Sequence, residues 1–138
     1  MHWMFVFNVY LIVMFETEDD LTSNNRFKFR AWHKYHLEMI PNCNQGFEGD
    51  VFNWLNEGQS VEIMQSTGLK DDIGKEIYES DILFERAHYE GDSWIDERNV
   101  LVIFESGTFL GSVLNEIECY CDIDTTGITI IGNIYEGF

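Results

Sequence analysis

Residues 26–32 read Arg-Phe-Lys-Phe-Arg-Ala-Trp, a strict alternation of polar and apolar side chains. A period of two is what a half-buried β-strand requires, and it does not match the 3.6-residue period of a helix. The alternation sets Phe27, Phe29 and Ala31 on an inward face and Arg26, Lys28, Arg30 and Trp32 on the opposite, outward one. Residues 37–40 can pair back as a hairpin that Pro41 ends. Further short apolar runs occupy residues 61–65, 77–78, 82–84, 99–104, 108–113 and 128–131. Asn, Asp and Gly clusters punctuate them: the loop of residues 42–50, the Glu79-Ser80-Asp81 break, a polar hairpin tip or long loop within 88–98, Gly107, Gly127 and Gly132-Asn133. Residues 51–55 are of undecided type, and 114–121 read as a strand or a short helical turn.

Many short strands separated by turn signals predict a mainly β chain, with α+β as the alternative. The architecture expected is a small antiparallel sheet or a partly open, SH3-like barrel with long loops. Residues 67–75 carry Gly68, Gly74 and an Asp71-Asp72 pair, which predicts a tight turn between extended pieces. In that turn Leu69 and Ile73 are expected to anchor the loop on the core.

Composition narrows the class. At 138 residues the chain is one domain's worth, and 45% hydrophobic with 15% aromatic content excludes a disordered chain. The charge is lopsided: 25 Asp and Glu against 8 Lys and Arg leave −17. A chain so acidic repels phosphates as a whole, so binding to nucleic acid through overall charge is disfavoured. Arg26, Lys28, Arg30 and Lys34 are four of the eight bases, and the four acids of residues 16–20 offset them, so the excess resides downstream of Lys34.

Cys43, Cys119 and Cys121 make a poor disulfide framework, and His2, His33, His36 and His88 lack metal-binding spacings, so reduced thiols and no metal or cofactor are expected. Residues 3–15 are apolar except for Asn8. As a helix they would reach about 20 Å against the roughly 30 Å of a membrane core, and no Lys or Arg precedes them, so neither a membrane span nor export is expected. They read as a buried strand or a docked apolar helix, followed by an acidic linker. The division expected is an extension and linker over residues 1–25 and a domain over 26–138.

Four segments occur in order: Lys28-Phe-Arg-Ala-Trp32, Met64-Gln-Ser-Thr-Gly-Leu-Lys-Asp71, Gly74-Lys-Glu-Ile-Tyr-Glu-Ser-Asp-Ile82 and Ile131-Gly-Asn-Ile-Tyr-Glu136. Together they resemble the YopX family of phage and prophage proteins over residues 26–136. Ser80 stands where the family pattern has Gly, and His33 where it has Asp; residues 1–25 have no counterpart. The resemblance implies a mostly β domain, encoded among early phage genes and working in the host cytoplasm, and it carries no activity with it.

Catalytic signatures such as a phosphate-binding Gly-rich loop, Ser-x-x-Lys or His-Glu-x-x-His do not occur. The chain therefore reads as a non-catalytic binding or regulatory module. The candidate binding residues are the row Arg26, Lys28, Arg30 and Trp32, and the loop residues Lys70, Lys75 and Tyr78. Cations beside an aromatic suit a nucleic-acid backbone and a stacked base, and equally suit acids of neighbouring strands. The alternative is an acidic protein-interaction module, or a DNA mimic, acting on a host protein. Self-association is a further expectation, from the aromatic load and residues 3–15.

Overall fold

The structure, a computed structural model, describes residues 28–41, 58, 60–123 and 126–138. Arg26, Cys43, the apolar run 3–15, the boundary expected at residue 25 and residues 51–55 lie outside the described residues. Eleven strands and no helix occur among the described residues, so the mainly β expectation holds.

The strands are β1 (Phe29–His33), β2 (Glu38–Ile40), β3 (Val61–Lys70), β4 (Glu76–Tyr78), β5 (Asp81–Glu85), β6 (His88–Glu90), β7 (Ser93–Ile95), β8 (Arg98–Glu105), β9 (Thr108–Val113), β10 (Tyr120–Cys121) and β11 (Ile128–Asn133). One sheet has the order β2-β1-β3-β4, a second β10-β9-β8-β5-β11, and β6-β7 is a separate hairpin. Every pairing is antiparallel, and the sheet curls into a half-barrel.

The main core joins the two larger sheets. Ile77 of β4 packs with Leu83, Val100, Val102 and Ile128 of the five-stranded sheet, and Leu69 and Phe109 close its margin. A smaller cluster of Ala31 and Val61, with Phe29, Ile40 and Ile63 against it, lies on the inward face of β1 as the alternation predicts.

The outward face of β1 is not open. Trp32 is buried and stacks on Tyr135 at 6.0 Å with an interplanar angle of 16°. Arg30 is closed in against β5. Alternation tells which side chains share a face; it does not tell whether a second layer covers that face. Here β5 and the C-terminal turn do.

The expected turn at 67–75 is shorter than predicted. β3 runs on to Lys70, and the reversal is confined to Asp71–Lys75. Between the pairs Ser66↔Tyr78 and Lys70↔Glu76 the register shifts, because β3 carries two more residues than β4. Gly68 supplies the positive φ of 76° that this bulge needs. The Thr67 hydroxyl donates to the Ile77 carbonyl at 2.8 Å and accepts from the Leu69 N–H at 3.1 Å, which pins the irregularity. Leu69 packs on the core as expected, whereas Ile73 is 78% exposed at the tip of the turn. β11 likewise continues through Gly132-Asn133, where a break was expected, absorbing it as a bulge between Ile130 and Gly132.

Ser80, at the site where the family pattern has Gly, sits between β4 and β5 with φ 71°. An L side chain in that region costs roughly 1–2 kcal/mol, partly offset by the extra backbone entropy a glycine must lose. Ser80→Gly is therefore expected to raise the unfolding free energy by about 0.5–1 kcal/mol in urea titrations. Ser80→Val is expected to lower it, and the reverse order would refute the strain.

Candidate functional site

Arg30 of β1, Lys75 of the β3–β4 turn, Tyr78 of β4, Asp81 of β5 and Asn133 of β11 line one cleft of about 340 Å³. Met39 and Pro41, from β2 and just past it, form an apolar wall; Glu76 and Glu136 add carboxylates. The cleft exists because β1 and β4 belong to one sheet and β5 and β11 to the other, so it opens where the two meet.

Asp81 organises it. The residue is fully buried and accepts twice: from the Arg30 guanidinium at Oδ1, 2.6 Å, and from the Tyr78 N–H at Oδ2, 2.8 Å. The Arg30 Cζ also lies 4.7 Å from the centroid of the Tyr78 ring, a cation–π distance. The Arg30 Nε is buried and makes no hydrogen bond among the described residues. Burial pushes the Asp81 carboxyl above its ordinary range, against the opposing pull of the Arg30 charge and the Tyr78 N–H.

Lys75 is placed by Asp71, whose Oδ1 accepts from the N–H groups of Ile73 and Lys75 at 3.1 and 2.8 Å. Asp71 Oδ2 accepts from the Ile130 N–H of β11 at 3.1 Å, tying the turn to the opposite sheet. Among the described residues neither the Lys75 ammonium nor that of Lys70 has a carboxylate within ion-pair distance.

The sequence candidates therefore separate. Arg30, Lys75 and Tyr78 converge on the cleft. Lys28 reaches it only through Glu76, with which it pairs at 3.6 Å; Glu76 also accepts from the Ser66 hydroxyl at 2.9 Å and the Tyr78 hydroxyl at 3.1 Å. Trp32 is spent on Tyr135, and Lys70 sits exposed at the end of β3 away from the cleft lining. Sequence reasoning missed Asp81, Asn133 and Glu136. The signal for Asp81 was a single acid directly preceding Ile-Leu-Phe, which was read as a turn residue; it is the first residue of a buried strand.

The other described bases are matched with acids: Lys34 with Glu62, Arg86 with Asp72 at 3.4 Å, and Arg98 with Glu85 at 2.6 Å. Among the described residues no three His, Cys, Asp or Glu side chains are grouped as metal ligands. The buried His33 accepts the His36 N–H at Nδ1, 3.2 Å. Burial pushes the Cys121 thiol up to about 11, so it is protonated and a poor nucleophile at neutral pH. No helix among the described residues is long and apolar enough to cross a membrane.

Comparison with known proteins agrees with the fold. The chain is similar to a solved structure, protein EF1440 from Enterococcus faecalis, at 29% identity and a TM-score of 0.52, covering 79% of this chain and 93% of that one. None of the curated proteins matches it. The YopX protein family matches residues 28–137, nearly the whole of the described chain. The chain belongs to the YopX family.

Proposed function

We infer that this chain is a protein-binding module that performs no bond-making and whose partner presents a basic surface. The observation that carries this reading is the fate of the cations. Lys28, Arg30 and Lys34, the described members of the basic cluster, are each bound to one of the chain's own carboxylates. A nucleic-acid phosphate would have to displace those carboxylates and then face a molecule of net charge −17. Acids such as Glu90, Asp92, Asp96, Glu97, Glu105, Glu116, Glu118 and Asp122 stay exposed. What favours binding over chemistry in the cleft is that its acids are engaged: Asp81 spends one oxygen on the Arg30 guanidinium and the other on the Tyr78 N–H, and Glu76 is bonded to Lys28, Ser66 and Tyr78. The family resemblance adds the setting, a phage or prophage protein meeting a host protein in the cytoplasm. Like charge opposes a second copy of this chain as the partner, and light scattering of the free protein separates the two cases.

A second reading, contact with nucleic acid through the β3–β4 turn, is favoured by Lys70 and Lys75, which have no carboxylate partner among the described residues, beside the exposed Ile73. Gel shifts at low salt with single- and double-stranded DNA and RNA decide between them. No shift is expected, together with recovery of a basic host protein from lysate. A salt-dependent shift that Lys70→Ala with Lys75→Ala abolishes would overturn the protein-binding reading in favour of the second.

A further inference from the structure

The hairpin β6–β7 stands outside both larger sheets and, among the described residues, pairs only with itself. Tyr89 and Trp94 are direct cross-strand partners whose rings meet edge to face, centroids 4.8 Å apart. They are nonetheless 70% and 54% exposed. Cross-strand packing alone would account for their contact and leaves most of both rings in water. The Trp94 indole N–H donates to Asp96 Oδ1 at 2.8 Å, which fixes the ring at the surface.

Along this hairpin the acidic charge is unopposed by Lys or Arg. Glu90, Asp92, Asp96 and Glu97 are all exposed, and no Lys or Arg occurs from His88 to Glu97. The flanking cations are engaged elsewhere, Arg86 with Asp72 and Arg98 with Glu85. Fixed aromatic rings on an acidic hairpin complement a cation that stacks and forms forked hydrogen bonds at the same time. Guanidinium does both, and ammonium does only part of it.

Resting on the protein-binding reading, we propose that the β6–β7 hairpin docks an arginine-rich segment of the partner protein, with guanidinium groups stacked on Tyr89 and Trp94 and paired with Asp92 and Glu97. The surface is separate from the Arg30 cleft, whose lining includes none of these residues.

The test is fluorescence anisotropy of a labelled peptide of alternating arginine and serine on the full chain, with a lysine-for-arginine peptide as comparison. Three variants are measured. One removes the rings (Tyr89→Thr with Trp94→Thr, both strand formers), and one the charge (Asp92→Asn with Glu97→Gln). The third is a control that neutralises as many exposed acids elsewhere (Glu116→Gln with Glu118→Gln). Each hairpin variant is expected to weaken binding by about tenfold and the control by less than about twofold, with the lysine peptide several-fold weaker on the wild type. Equal weakening by the control and the hairpin charge variant would mean diffuse attraction, and wild-type affinity in the ring variant would mean the aromatics serve only the hairpin; either result overturns the proposal. A ring variant that captures the same basic host protein as the wild type removes the docking site and leaves the binding module intact. Absence of both peptide binding and host-protein capture in the wild type removes both.

Discussion

Arg30→Ala is expected to lower the unfolding free energy at neutral pH by about 3–5 kcal/mol, the usual cost of leaving one buried charge without its partner. Asp81 has no exposed surface, and its only described side-chain partner is the Arg30 guanidinium. Removing that cation strands a carboxylate whose Oδ2 keeps the Tyr78 N–H and whose Oδ1 keeps nothing. The pH dependence carries the sign. Burial already holds the Asp81 carboxyl above its ordinary value while Arg30 pulls it down, so the variant's value climbs further. A carboxyl raised in the folded state adds stability when protonated: that stability is complete below the ordinary carboxylate range and is lost as pH rises through the folded value. The deficit of Arg30→Ala relative to the wild type should thus be largest at neutral pH and shrink on acidification. Arg30→Met combined with Asp81→Asn removes both charges and keeps an acceptor for Tyr78, and should regain most of the loss. Urea titrations of the three proteins across pH measure this. A deficit under about 1 kcal/mol that does not change with pH would show that the pair is not the buried contact described.

That contact marks where reasoning from sequence stops. The alternation of residues 26–32 assigns Phe29 and Ala31 to a core face correctly, because period two is a property of the strand itself. It cannot say that β5 and the C-terminal turn cover the other face, since that depends on residues about fifty and a hundred positions away. Lys75 and Tyr78 were legible as candidates from the Gly74-Lys-Glu-Ile-Tyr stretch, and they do share a cleft with Arg30. Ile73 was misassigned for a different reason. An apolar side chain in a turn is expected to seek the core, but the hydrogen bonds of Asp71 hold the backbone so that Ile73 points to solvent at no rescue from its neighbours. The long β3 was hidden by Gly68, which in a sequence reads as a turn and in the strand is the bulge that lets Ser66 and Lys70 both pair with β4. Asp81 was hidden by its own polarity: an acid beside a turn reads as solvated until the arginine that neutralises it is found.

Asp71→Ala is expected to cost about 2–4 kcal/mol, because one carboxylate serves three backbone donors and each such charged bond is worth roughly 1.5–3 kcal/mol before relaxation and water recover part of it. The donors are Ile73, Lys75 and Ile130, so a single substitution loosens the β3–β4 turn and its tie to β11 together. The residue is buried by its neighbours. Burial alone would push its carboxyl up; the N–H groups of Ile130, Lys75 and Ile73, with the Lys75 charge, outweigh that and bring it below the ordinary value. A depressed carboxyl contributes stability that is complete above the ordinary carboxylate range and is lost as pH falls through the folded value, the opposite sign to Asp81. The wild type should therefore lose stability on acidification more steeply than Asp71→Ala, so that the gap between them narrows. Asp71→Asn keeps one acceptor oxygen and should fall between the two at neutral pH. Amide exchange gives the local reading: the Lys75 and Ile130 N–H groups, one on each side of the cleft, should lose protection together in Asp71→Ala. If Ile130 keeps its protection while Lys75 loses it, Asp71 closes the turn but does not join the two sheets across the cleft.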